Sequence, residues 1–253
     1  MARVAVLCGT GMSALADEMS NSENLGISRV KIDTDWKSVP SSIVSTDLGD
    51  IVFIDRHHSE GENRTPPHKI EHRANVQAVV KCHPDIVMSI NSVGSMVDNF
   101  EPGTIGISSD VLDLAVRPWT FHDADAIHAD RTSPFDVDAS QICKGVLAST
   151  QQHVPHDLIV AQCVGPQFES PAEIDALEML GAHAVGMTLG PESRLMSETG
   201  IRHVALACSS NWAAGREPGD PSAKIDHHAV DSMASSMRGS ISLCLMEILR
   251  SID

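Results

Sequence analysis

The 253-residue chain contains no tyrosine, and aromatic residues make up only 3% of it. A protein that holds single-stranded nucleic acid by stacking bases on rings is therefore disfavoured. Cations are scarce as well: 18 Lys and Arg stand against 34 Asp and Glu, a formal net charge of −16. Such a surface repels the nucleic-acid backbone and anionic lipid, so neither is an expected partner, and an anionic small molecule would need a local cationic pocket. None of the six cysteines forms a C-x-x-C pair, which removes zinc-ribbon and thioredoxin-type readings. No apolar run is long enough to cross a bilayer, and the start MARVAVLCGTGM is too short for a secretory leader. The expectation is a reduced, cytoplasmic protein whose cysteines mostly fill the core.

What is present is alternation. Apolar, β-branched runs at 4–8, 51–54, 86–90, 158–164 and 203–208 read as short buried strands. Helical patterns lie between them at 70–80, 140–152, 171–180 and 191–199, and 226–250 reads as one long closing helix. This pattern predicts a single α/β domain over 1–253 with a mostly parallel sheet. Ligands of such sheets sit beyond the carboxyl ends of the strands. The Gly-, Pro-, Ser-, Asn- and His-rich segments 55–69, 91–102 and 209–222 are therefore the loops in which chemistry is expected.

One helix is specified closely. Ser170 suits the N-cap, Pro171 the first helical position and Glu173 the third, which together make a capping box. Ile174, Leu177 and Leu180 form an apolar stripe, and Gly181 suits the position after the helix. Capping explains Ser170 and Glu173. It does not explain Glu169, which comes one residue too early.

Two short motifs suggest other chemistry. Gly9-x-Gly11-x-x-Ala14 follows a strand and matches a dinucleotide fingerprint, with Asp33 a suitable distance on. The polar run DEMSNSENLG that follows argues against a helix there. The milder reading is a turn whose backbone N–H groups and Thr10 hydroxyl face a phosphate. His68-Lys-Ile-Glu71-His72 spells H-x-x-E-H, a zinc-protease pattern, but prolines precede it and no third carboxylate ligand presents itself. No metal site is expected.

Longer segments carry a resemblance. The Gly-Thr-Gly turn, Arg56-His57, PPHKIEHRANV, NSVGS, EPGTIGISSDVLD and above all GPQFESPAEI…GAHAVGMT…PE occur in this order. Together they resemble the trimeric branch of the purine nucleoside phosphorylase and methylthioadenosine phosphorylase family over nearly the whole chain. The resemblance implies a central twisted, mostly parallel mixed sheet flanked by helices. It implies that Thr10, Arg56, His57, Ser92 and Thr188 bind phosphate, that Met187 packs under the ribose, and that Phe168, Glu169 and Asn211 hold the base. In that reading Asn211, His57 and Glu169 carry the catalytic roles, with His57 and the hydroxyls adding hydrogen-bond donors to phosphate. Taken alone, Arg56 also fits a structural ion pair, His57 a packing or capping role, Met187 the core and Thr188 a turn, with Glu169 and Asn211 as ordinary loop polars.

The implied reaction is phosphorolysis of a purine nucleoside, with inorganic phosphate as co-substrate and no metal or redox cofactor. Asn211 in CSSNWAAGREPGD replaces the Asp-Tyr-Asp of adenine-preferring members and resembles methylthioinosine phosphorylases. A 6-oxopurine nucleoside is therefore expected, 5′-methylthioinosine ahead of inosine or guanosine. Methylthioadenosine phosphorylase, a water-using nucleosidase and a catalytically idle relative are the alternatives. Ile225 and His228 are the expected residues of the 5′ pocket, and a shift of alignment would put His227 in a hydroxyl-binding role instead. The resemblance also implies a homotrimer, with Phe121 or His122 lent to a neighbouring ribose pocket. The loop RHHSEGENR departs from the family: His58 replaces a Gly and Asn63 a pocket His, and further on His72 replaces a Tyr.

Overall fold

A computed structural model describes residues 1–59, 63–115 and 117–252. Strands β1 (Ala2–Cys8), β4 (Gly49–Asp55), β5 (Ile86–Ser95) and β9 (Arg202–Trp212) lie parallel in the order β4-β1-β5-β9. An antiparallel hairpin of β2 (Gly26–Asp33) and β3 (Ser38–Ser45) extends the sheet beyond β4. On the other side, β6 (Ile105–Leu112), β7 (Leu158–Gln162) and β8 (Ala184–Gly186) close a ring, β5-β8-β7-β6-β9 and back to β5. Five of the nine pairings are parallel, so the sheet is mixed, as expected.

The sheet is covered on both faces because successive strand side chains point to opposite sides. Val4, Val6 and Cys8 of β1 join Ile51, Phe53, Ile86, Met88 and Ile90 in one core. That core is roofed by α1 (Leu15–Glu23), α3 (Val137–Leu147) and α7 (Arg238–Arg250) through Leu15, Met19, Cys143, Ile241, Leu245 and Ile248. Ala5 and Leu7 point the other way, with Val52, Ile54 and Val87. There they meet α2 (His72–Lys81) and α5 (Leu189–Ser197) through Val76, Val79, Leu195 and Met196. Strands buried on both faces need continuous apolar runs, which is why β1, β4 and β5 stand out in the sequence. Four of the six cysteines are buried and all are free.

Several expectations require correction. A helix does open after the Gly-Thr-Gly turn: α1 is polar on its outer face, but Leu15, Ala16 and Met19 bury its inner one. Asp33 ends β2, which is separated from β1 by β3 and β4, so the acidic residue of the fingerprint is not beside the turn. The closing helix is two helices, α6 (His227–Ser236) and α7, broken at Met237. Hydroxyls of Ser235 and Ser236 bond back to the carbonyls of Asp231 and Met233 in the last turn of α6, and such bonds bend helices. β5 and β9 run on to Ser95 and Trp212, so Ser92 and Asn211 lie on strands rather than in loops. The H-x-x-E-H run does not share one helical face: His68 lies in the 3-10 turn Pro67–Lys69, Glu71 caps α2 and His72 opens it. Residues 60–62 of the divergent loop lie outside the described residues.

The helix α4 (Pro171–Met179) matches its expectation in its caps. Ser170 Oγ accepts from Glu173 N, Ser170 N donates to Glu173 Oε2 at 2.8 Å, and Gly181 has φ +92. Its stripe is narrower than expected: Ile174 is buried, but Leu180 is exposed.

Candidate active site

A cavity of about 420 Å³ opens where the carboxyl ends of β1, β4, β5 and β9 meet. Thr10 reaches it from the turn after β1, Arg56 and His57 from the end of β4, and Ser92 and Gly94 from β5. The loop between β7 and α4 contributes Phe168 and Glu169, and the end of β8 contributes Met187 and Thr188. Asn211 comes from β9, Ile225 from the segment before α6, and His227 and Val230 from α6 itself. His228, expected in the 5′ pocket, does not line the cavity. Its backbone N–H is tied to the Asp226 cap instead, and the neighbouring His227 lines the wall. Neither Phe121 nor His122 lines the cavity of its own chain; Phe121 packs on Trp36 with ring centroids 5.6 Å apart.

One end of the cavity is a cradle of hydroxyls. Ser92 Oγ donates to Thr10 O at 3.2 Å, and Thr188 Oγ1 donates to Asn91 Oδ1 at 3.3 Å. Thr188 is the N-cap of α5 and makes no side-chain cap, so the unpaired N–H groups of that helix favour negative charge beside it. The glycine turn contributes less than its composition suggests. Gly11 N is bound by the Asp231 carboxylate at 3.0 Å, and Met12 N bonds to Gly9 O. Gly11 has φ +78, and a Cβ there would lie 2.6 Å from the Ala234 Cβ, so this glycine is explained by the approach of α6.

His57 Nδ1 lies 2.8 Å from Thr65 O. A carbonyl only accepts, so Nδ1 carries the proton of the neutral ring and Nε2 is left as an acceptor. Burial, with help from Arg56 and Arg64, pushes the His57 pKa down to about 4, which keeps the ring neutral at pH 7. His57 is thus an acceptor, not the donor expected from the sequence.

Arg56 is only 1% exposed and is engaged below the cradle. Nε and Nη2 donate to Glu192 at 2.6 and 2.9 Å, Nη1 donates to Ile90 O at 2.7 Å, and Nη2 also donates to Leu7 O at 2.9 Å. Glu192, fully buried, also accepts from Ser89 Oγ at 3.0 Å. Burial works to raise the Glu192 carboxyl, but Arg56 prevails and holds it down to about 2. His72 Nδ1 is 3.8 Å away, too far for a hydrogen bond but within reach of its charge.

At the other end, Asn211 Nδ2 donates to Trp212 O at 2.7 Å, and Oδ1 accepts from Ser210 Oγ at 3.1 Å. These bonds fix the amide orientation and leave one N–H of Nδ2 unspent. Gly94 allows the amide its place: a Cβ there would be 3.1 Å from Nδ2. Burial pushes the Glu169 carboxyl above its usual range, although the Cys163 thiol donates to it. Phe168 lies beside it, partly exposed.

A sequence profile of the phosphorylase superfamily matches residues 3–244. The chain belongs to that superfamily. Among superfamily members, the probable 6-oxopurine nucleoside phosphorylase of Thermococcus kodakarensis is 30% identical over 264 residues, spanning 100% of this chain and 93% of the relative. The probable S-methyl-5′-thioinosine phosphorylase of Methanopyrus kandleri is 32% identical, spanning 85% of this chain and 80% of the relative. A methylthioadenosine phosphorylase from an Antarctic soil metagenomic library superimposes with a TM-score of 0.84 over 100% of this chain and 88% of its own, at 21% identity. That likeness shows the shared fold.

In this phosphorylase-superfamily chain, sequence reasoning missed Arg64, Glu192 and Val230. Arg64 stands in a divergent loop, and its signal was a cation beside a strand end in an acidic chain. Glu192 belongs to the quoted PE pair, but a role beneath Arg56 needs the third dimension. Val230 lies one helical turn beyond His227 and had no motif to mark it.

Proposed function

We propose that the chain catalyses phosphorolysis of 6-oxopurine nucleosides, giving free base and ribose-1-phosphate, with nucleoside and inorganic phosphate as its only small-molecule partners and without a cofactor. Phosphate oxygen attacks C1′ as the bond from C1′ to the base nitrogen breaks, and the electron pair leaves with the purine. The observation that carries the reading is Asn211, whose fixed amide keeps one N–H for N7 or O6 of the leaving base. Hydrogen bonds aimed at developing charge lower such barriers most. Glu169 accepts from N1–H, which hypoxanthine and guanine have and neutral adenine lacks. Phe168 flanks the base, Met187 lies under the ribose, and Thr10, Ser92 and Thr188 offer hydroxyls to phosphate. Hydrogen phosphate carries one O–H, which suits the acceptor on His57.

Incubation with inosine, methylthioinosine and methylthioadenosine, with and without phosphate, tests this. Phosphate-dependent release of hypoxanthine is expected; release that ignores phosphate, or faster cleavage of methylthioadenosine than of methylthioinosine, would sink it. No release despite ligand binding would favour an idle relative.

The 5′ wall supports two substrates. Ile225 and Val230 present apolar area, which suits a methylthio group at about 0.8 kcal/mol per buried carbon group. His227 on the same wall favours a 5′-hydroxyl, hence inosine or guanosine. Methylthioinosine is the preferred reading. The ratio of kcat/KM for methylthioinosine and inosine decides, measured in wild type, Ile225→Ala and His227→Ala; an inosine preference that collapses only in His227→Ala would reverse the order.

A cytoplasmic homotrimer acting in purine salvage completes the proposal. Exposed Leu114, Val164, Met179 and Leu180 support burial of further surface. Sedimentation showing a fully active monomer would overturn the assembly.

A further inference from the structure

The turn that carries Thr10 is held from two sides. Met12 N closes it onto Gly9 O at 3.2 Å, and from β5 the Ser92 hydroxyl holds the Thr10 carbonyl at 3.2 Å. On the far side the hold is on Gly11, and it comes from α6 and the start of α7. Gly11 N donates to Asp231 Oδ1 at 3.0 Å, while Gly11 O accepts from Arg238 Nη1 at 2.6 Å and from Ser235 Oγ at 3.3 Å. Asp231, Ala234 and Ser235 share one face of α6 because they are three and four residues apart. Ala234 brings that face so close that a Cβ on Gly11 would lie 2.6 Å from its own. Arg238 also donates through Nε to Glu18 of α1 at 2.7 Å, which anchors the guanidinium that holds the glycine. Neither Gly11 nor Asp231 lines the cavity, but His227 and Val230 of the same helix do. One helix therefore walls the 5′ end and holds the turn at the opposite end.

We propose that Asp231 is a positioning residue: by accepting from Gly11 N it fixes the glycine turn so that the Thr10 hydroxyl stands where phosphate binds. The inference rests on the reading that the cavity takes phosphate. The carboxylate has two opposed effects there. Its negative charge repels a phosphate, and its oxygen holds the backbone that presents Thr10. The second effect prevails, because the bond is charge-assisted and the residue it holds is a glycine at φ +78, whose freedom no Cβ restricts. The Gly11 N–H points at α6 and away from the cavity, so releasing it gives phosphate no new donor.

Two substitutions separate the effects, since both remove the charge but only one removes the acceptor. Titration calorimetry with inorganic phosphate is run on the full chain as wild type, Asp231→Ala and Asp231→Asn. Loss of a hydrogen bond to a charged group predicts phosphate binding weaker by roughly 10-fold in Asp231→Ala, while Asp231→Asn, which keeps an oxygen for Gly11 N, binds as well as wild type or better. Amide hydrogen exchange over residues 9–12 reads the tether itself: it should quicken in Asp231→Ala and stay slow in Asp231→Asn. Hypoxanthine affinity should match wild type in both, because the base contacts lie away from the turn, and a retained melting temperature would show that the fold is intact. Tighter phosphate binding in both variants would mean that only the charge of Asp231 matters, and would overturn the proposal. Asp231→Ala with phosphate affinity and exchange like wild type would do the same, as would a wild type that binds no phosphate. Phosphate binding with the expected order of variants, but base release that ignores phosphate, would retire the phosphorylase reading and leave the role of Asp231 standing.

Discussion

Glu169 concentrates the residue-scale chemistry. Burial raises its pKa, the nearby Glu173 adds to the rise, and Cys163 counters it. Only the ionised carboxylate accepts from N1–H without competition, so substrate capture is complete above the raised pKa and fades as pH falls through it. KM for inosine is expected to climb on an acid limb lying above the ordinary value of 4.5, with no such limb in Glu169→Gln; a KM profile against pH for both proteins checks this. Gly165 offers a second prediction. It has φ +66, and a Cβ there would lie 2.4 Å from Met187 Sδ. Gly165→Ala must displace the methionine, and a misplacement of that size lowers kcat/KM by roughly 10²-fold. The effect should appear with circular dichroism unchanged. Asn211→Asp should shift preference toward 6-amino nucleosides, as measured by the adenosine-to-inosine ratio. The new carboxylate would also face the Trp212 carbonyl, so a lower melting temperature is expected.

At the scale of elements, α4 links sequence to site most directly. Its capping box begins one residue after Glu169, so the helix start sets where that carboxylate stands. Ser170→Ala should lower stability by about 1 kcal/mol, seen in denaturant melts, and should raise KM for the nucleoside more than it lowers kcat. This helix was legible because caps are local: Ser170, Pro171 and Glu173 declare themselves within four positions. The parallel strands were legible because burial on both faces forces unbroken apolar runs. β2 and β3 were not, since β2 is exposed along nearly its whole length and both strands mix serines and charged residues among their apolar ones, so neither forms an unbroken apolar run. β8, three residues long, is below the length at which a pattern forms. The break at Met237 went unread because serines bonding back into a helix leave its apolar period intact. Within the site, positions carried by long motifs came together, whereas the 5′ wall depended on the phase of one helix start. There His227 and His228 exchange roles with a rotation of about 100°.

For the molecule as a whole, buried histidines set the acid limit. Burial pushes His203 down from 6.5 to about 4, and His57 likewise. Each is neutral in the fold and protonates more readily when unfolded. Their contribution is therefore full above pH 6.5 and is lost as pH falls toward 4, where melting temperature should drop before the carboxylates titrate. Leu245, fully buried between α7 and the sheet, should cost about 2–5 kcal/mol on truncation to alanine, read from a shift of the denaturant midpoint. The ring of five strands has one more consequence. By closing β9 onto β5 it leaves no terminal strand at that end among the described residues, so the outer side of β2 is where another chain could add itself strand to strand. Arg29, which pairs with Asp17 and Ser42, and Lys31 are both exposed on that strand, and charges so placed deter β-stacking between molecules. Their replacement by threonine should leave the monomer's melt nearly unchanged while hastening fibril or precipitate formation at high protein concentration, as followed by light scattering.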